Sequence, residues 1–169
     1  MKLKTLLTVS ILASVAQASV QNLLPNLTSE DLNVQTQARL ELLALCAEAS
    51  APGIDEAKRK ALSEEMCRVL QTDIEVEEVL RPLIRNLQRI GGAEAVAALT
   101  KLMGHPNEHV RDDARRALAV NPSEEAAQAL GVQLKMRKAR SPKDTAGLIQ
   151  ALGQRRTTGA EKLIAVHLD

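Results

Sequence analysis

From residue 79 onwards the chain's apolar and polar positions follow two periods at once. The short one is that of a helix face. Leu83 and Leu87, Ala114 and Leu118, and Leu148 and Leu152 each stand four apart, which places side chains on one side of an α-helix. The long one runs 31 residues from Leu87 to Leu118 and 34 from Leu118 to Leu152. Eight residues after these three anchors stand Ala95, Ala126 and Ala160; twelve after, Leu99, Leu130 and Ile164; sixteen after, Met103, Leu134 and Leu168. Self-similarity at such a distance marks one supersecondary unit used in succession.

Breakers divide each unit in two. Gly91-Gly92, Asn121-Pro122-Ser123 and the stretch from Gln154 to Gly159 follow the anchors, while Gly104-His105-Pro106-Asn107 and Arg140-Ser141-Pro142 separate one unit from the next. Ser123 before Glu124 and Glu125 has the form of an N-cap with acids in the first turn. The spacing predicts helices over 75–90, 93–103, 108–119, 123–138, 143–153 and 159–168. Upstream, Val34, Ala38 and Leu42 repeat the spacing of Val79, Leu83 and Leu87, so a helix is expected over 31–49. Ala51-Pro52-Gly53 ends it, and a second helix over 55–71 is expected to turn Ala61, Leu62, Met66, Val69 and Leu70 inward. The expectation is an all-α chain: pairs over 31–72, 75–103, 108–138 and 143–168, stacked into one repeat domain at 31–169.

The first thirty residues read differently. Lys2 and Lys4 precede an apolar run from Leu6 to Ala16, and Ala16-Gln17-Ala18 has the small-x-small form of a cleavage site. Residues 1–18 are expected to be a signal peptide, the mature chain beginning at Ser19, exported to the periplasm or secreted. Residues 19–30 are expected to form a short flexible lead-in. No later stretch is long and apolar enough to span a bilayer.

Composition narrows the function. Hydrophobic residues make up 45% of the 169, yet none is Phe, Tyr or Trp, so the core must be built from Leu, Ala, Val and Ile. Leu and Ala favour helices, whereas strands draw on β-branched and aromatic residues. Without rings, the chain cannot stack on bases or cage a quaternary amine. Removal of Lys2 and Lys4 leaves 20 basic and 21 acidic side chains, unevenly spread. Residues 30–78 carry 12 acids against 5 bases, and residues 79–169 carry 9 acids against 15 bases. That dipole can orient an encounter with a charged partner, but a near-neutral total does not read as nucleic-acid binding.

The run from Leu99 to Leu118, with Leu102-Met103-Gly104-His105-Pro106-Asn107 leading into Val110-Arg111-Asp112-Asp113-Ala114, resembles the HEAT-like repeat of the phycobilisome-lyase type. Gly147 to Arg156 looks like the same element in exported bacterial HEAT proteins, and His105-Pro106-Asn107 replaces the usual acidic turn. The resemblance covers residues 75–169 well and 30–74 loosely. It implies a right-handed α-solenoid of antiparallel helix pairs, whose second helices line a concave side. It does not imply one activity, since such repeats serve mostly as scaffolds.

Candidate chemistry is sparse. Cys46 and Cys67 fall at different heights on the first pair, with an axial mismatch of roughly 13 Å, and are expected as two buried thiols. His105 and His109 are four apart, a zinc-like spacing, but Pro106 pushes His105 out of helical geometry, so no metal is expected. His167 near the last residues suits a helix C-terminus. No nucleophile, base and orienter can be assembled, and no Gly-rich phosphate loop exists. The chain is expected not to be an enzyme and to need no cofactor. What remains is surface. Positions ten and fourteen after the anchors point outward; with Val132 and Val166 at the centre and Lys101, Gln128, Lys135 and Lys162 around them, they are expected to dock a protein or peptide on the concave face. Leu168-Asp169 leaves the last pair uncovered, which suggests self-association through that edge. The alternatives are an enzyme-associated module resembling phycobilisome-lyase repeats, or a fragment of a longer multidomain protein.

Overall fold

The computed structural model describes residues 19–72, 74, 76–136, 141–155 and 165. Among them the regular structure is helical, with no strand. In order come α1 (Val20–Leu27), α2 (Leu32–Ala49), α3 (Glu56–Gln71) and α4 (Glu77–Ile90). A 3-10 turn (Ala93–Ala95) leads into α5 (Val96–Leu102), followed by α6 (Glu108–Val120), α7 (Glu124–Lys135) and α8 (Pro142–Arg155). The pair member expected over 159–168 lies, apart from residue 165, outside the described residues.

The helix starts have local causes. Asp31, Asp55 and Asn107 cap α2, α3 and α6, their side-chain oxygens accepting from the N–H two residues on at 2.8, 2.9 and 2.8 Å. Ser123 occupies the N-cap position of α7, but its hydroxyl makes no capping bond; its own N–H donates to Asn121 Oδ1 at 3.0 Å. The α2–α3 turn needs its glycine, since Gly53 sits at φ 83°.

The lead-in differs from expectation. Residues 20–27 form helix α1, capped by Ser19, with Val20, Leu23 and Leu27 buried. These three stand three and four apart, a helix face that outweighs the single bond Pro25 removes. The helix packs on α2 and α3 and extends the core instead of trailing from it.

α2, α4, α6 and α8 lie side by side, each packed on the next, while α3, α5 and α7 form a second row against them. The interior between the rows is aliphatic. Leu42, Leu87, Leu118 and Leu152 are each no more than 1% exposed, as are Leu99 and Leu130 opposite. Each such leucine contributes about 1.5–3 kcal/mol by leaving water. Cys46 and Cys67 are buried free thiols in this interior. Burial pushes the Cys46 thiol up to about 12, with Arg89 offsetting a small part, and pushes Cys67 to about 11.

Polar side chains link successive turns. Asn121 is 4% exposed and its Nδ2 donates to the carbonyls of Gly91 and Gly92 at 3.2 and 2.8 Å. Arg155, which follows Leu152 by three just as Asn121 follows Leu118, donates to the carbonyls of Leu118, Asn121 and Ser123. Each adds a donor to carbonyls at the turn between two helices. Desolvation lowers the pKa of Arg155 from the usual guanidinium value.

Candidate functional site

The outward residues singled out by the repeat spacing lie on the second row. Val132 is 50% exposed on α7, with Gln128 one turn before and Lys135 one turn after, both exposed; Lys101 is exposed on the neighbouring α5. α5 packs on α7, so these four residues belong to adjoining helices. Lys162 and Val166 lie outside the described residues. Lys101 and Lys135 have no carboxylate in ion-pair range among the described residues, so both ammonium groups face solvent.

The first row carries two concavities that the spacing did not signal. One, of about 800 Å³, lies over α6 and α8 and is lined by Gln88, Arg115, Arg116, Gln150, Gln154 and Arg155 among others. Its arginines are largely engaged: Arg115 and Arg116 share Asp112, and Arg155 holds carbonyls. The Arg115 guanidinium lies where a side chain on Gly147 would project, so a Cβ there would require the arginine to shift.

A second, of about 480 Å³, runs between α2 and α4. Arg39 and Leu43 line it from α2, and Arg85, Asn86 and Arg89 from α4, with Glu77 and Glu78 at one end. Arg81 also lines the cleft, but its guanidinium is engaged by Asp113 of α6 at 2.7 Å and Glu77 at 2.9 Å; the Asp113 bond is the main reason its pKa is raised. Partial desolvation opposes ionisation of Glu77, but hydrogen bonds from Asn107 and Arg81 outweigh it and hold the carboxyl below its ordinary range. Past the end of α4 the Arg59 guanidinium bridges Glu56 of its own helix, Glu94 and the Ile90 carbonyl, tying α3 to the end of α4.

The imidazoles do not form a pair on one helix. His105 sits before α6, its Nδ1 accepting from the N–H of Asn107 at 3.1 Å, whereas His109 is exposed in the first turn. Among the described residues, no three His, Cys, Asp or Glu side chains gather as a metal ion would require. His167 lies outside them. No described helix is long and apolar enough to cross a membrane.

No family model and no curated protein matches the sequence. Among solved structures, the chain is similar to the crystal structure of an engineered protein, at 26% identity and a TM-score of 0.49. The likeness covers 86% of this chain and 66% of that one.

Proposed function

We propose that this chain is an exported, non-catalytic scaffold of HEAT-like repeats, a right-handed solenoid that docks a protein or peptide on the face carrying α5 and α7. The observation that carries the repeat reading is the equivalence of three helices. α4, α6 and α8 bury Leu87, Leu118 and Leu152 alike, and each packs on its neighbour. Asn121 and Arg155, at one repeat position, reach back to the preceding turn in the same way. Stacked units of this kind contact mainly their neighbours and offer long faces for partners.

On the α5–α7 face, Val132 supplies an apolar centre that is half exposed, ringed by lysines free to meet a partner's acids. The test is crosslinking of the full chain in its own cells followed by mass spectrometry. Crosslinks from Lys101 and Lys135 to one partner should appear in the parent and vanish in Val132→Asp, with helical content unchanged. If that variant keeps both its fold and every crosslinked partner, the α5–α7 face is not the docking surface.

A further inference from the structure

The first-row helices can be compared residue by residue through their anchor leucines. Two positions before the anchor, on the outward side, α4, α6 and α8 carry Arg85, Arg116 and Gln150; α2 carries Leu40. One position after it, Gln88, Ala119 and Gly153 correspond to Leu43. Leu40 and Leu43 are 54% and 39% exposed, and Leu32 on the same side is 73% exposed. Leu32, Thr36, Leu40, Leu43 and Ala47 follow at intervals of four, four, three and four, so α2 presents a continuous outward stripe. Large apolar side chains grouped this way signify contact with something.

The cleft beside this stripe is basic and incompletely satisfied. Arg39 and Arg89 have no carboxylate within ion-pair range among the described residues, and Arg85 has only a 3.4 Å approach to Asp113 while its side chain remains 58% exposed. Asn86 lines the same cleft at 6% exposure, its Nδ2 donating to the Pro82 carbonyl and its Oδ1 left without a donor. A buried acceptor with no donor is costly. Glu77 is held by Arg81 and Asn107, which leaves Glu78 as the one acid on the lining against Arg39, Arg85 and Arg89, so the cleft's net charge is positive.

We propose that the cleft between α2 and α4 receives an acidic amphipathic helix of a partner protein. Its apolar residues, spaced as on one helix face, lie along Leu40 and Leu43, and its carboxylates meet Arg39, Arg85 and Arg89. This is the helix-in-groove mode of recognition. Charge selects the occupant. Residues 1–18 carry Lys2 and Lys4 and no acid, so they cannot supply the carboxylates. A second copy laying its own α2 in the cleft would bring Arg39 against Arg85 and Arg89. A flat anionic membrane matches the arginines, but not their recession with Leu43 and Pro82 into a trough that also carries Glu78. The surface is distinct from the α5–α7 face and stands without it.

Because the chain contains no Trp, Tyr or Phe, a peptide carrying one tryptophan reports its own binding alone. Two helical peptides share the same apolar spacing; one bears Glu and the other Lys on the flanks. The full chain should bind the Glu peptide saturably by fluorescence anisotropy and the Lys peptide at least about tenfold more weakly. Arg39→Gln with Arg89→Gln should weaken the Glu peptide about tenfold, and Leu40→Ser with Leu43→Ser by more than about tenfold. All four positions are exposed or partly exposed, so circular dichroism should report unchanged helix. Val132→Asp should leave this binding intact, which separates a failure here from a failure of the α5–α7 face. Absence of saturable binding, equal binding of the two peptides, or indifference to both double variants overturns the proposal. So does capture by phosphatidylglycerol vesicles that the same variants abolish without the Glu peptide binding, which would assign the surface to a membrane.

Discussion

Two junctions in the first row use the same helix in opposite ways. Where α4 meets α6, the seam is crossed by Arg81 and Arg85 onto Asp113, by Asn107 onto Glu77 at 2.7 Å, and by Asn121 onto Gly91 and Gly92. Where α2 meets α4, no hydrogen bond or ion pair crosses among the described residues, and the helices are joined through Ala38, Leu42 and Cys46 of α2 and the buried side of α4. The sequence reason is local. α4 is sharply two-sided, with arginines outward and leucines inward, whereas α2 has leucines on both sides and little amphipathic direction. A seam locked by polar groups is fixed in register; a seam held by packing alone leaves its charged rim free for other use.

The widest effect should come from pH, and it acts on the α2 side. Cys46 and Cys67 bind their protons more tightly when folded, at about 12 and about 11 against an ordinary 9.0. A native pKa above the unfolded one gives a contribution that is intact below about pH 9. It is lost as pH rises towards 11 and 12, at up to about 1.4 kcal/mol per pH unit for each thiol. Urea denaturation at pH 8 and pH 11 should differ by several kcal/mol, and Cys46→Ala should flatten the dependence. An equal slope in that variant would show that the buried thiols do not govern it.

Next in size is the polar lock itself. Asn121→Ala removes the donor to two turn carbonyls and the acceptor for Ser123 N–H, and should cost about 2–3 kcal/mol by urea denaturation. Asp113→Asn, which leaves Arg81 and Arg85 facing a neutral amide, should cost about 1–2 kcal/mol. A double-mutant cycle with Arg81→Gln should recover most of that loss as coupling between the pair.

These residues also mark where sequence reading stops. The anchor leucines announce themselves because burial on one helix face repeats in the sequence, and the ends of α2, α3 and α6 follow from capping chemistry within two residues. The face of α1 was written in Val20, Leu23 and Leu27, but Pro25 reads as a breaker unless those three are set against it. Asn121 reads as a turn residue, since nothing local points to carbonyls 29 and 30 residues upstream. The α2–α4 cleft is less legible still. Leu40 and Leu43 are visible as surplus leucines, but that Arg39 and Arg89 stand beside them unpaired depends on which helices become neighbours.

The smallest predicted effect is the sharpest test of the comparison. Arg39→Gln combined with Arg89→Gln deletes two guanidinium groups from the open seam. Neither has a carboxylate partner to strand, so the change in unfolding free energy should stay within about 0.5 kcal/mol. The like charges facing one another across the cleft make a slight gain in stability as acceptable as no change. In the locked seam, by contrast, removing Arg81 leaves Asp113, which is 8% exposed, with only the longer contact to Arg85. If the double variant costs more than about 1 kcal/mol in denaturant, the cleft arginines are holding the fold together. The two seams then differ in geometry but not in kind, and the basic rim of α2 and α4 is not free to meet a partner.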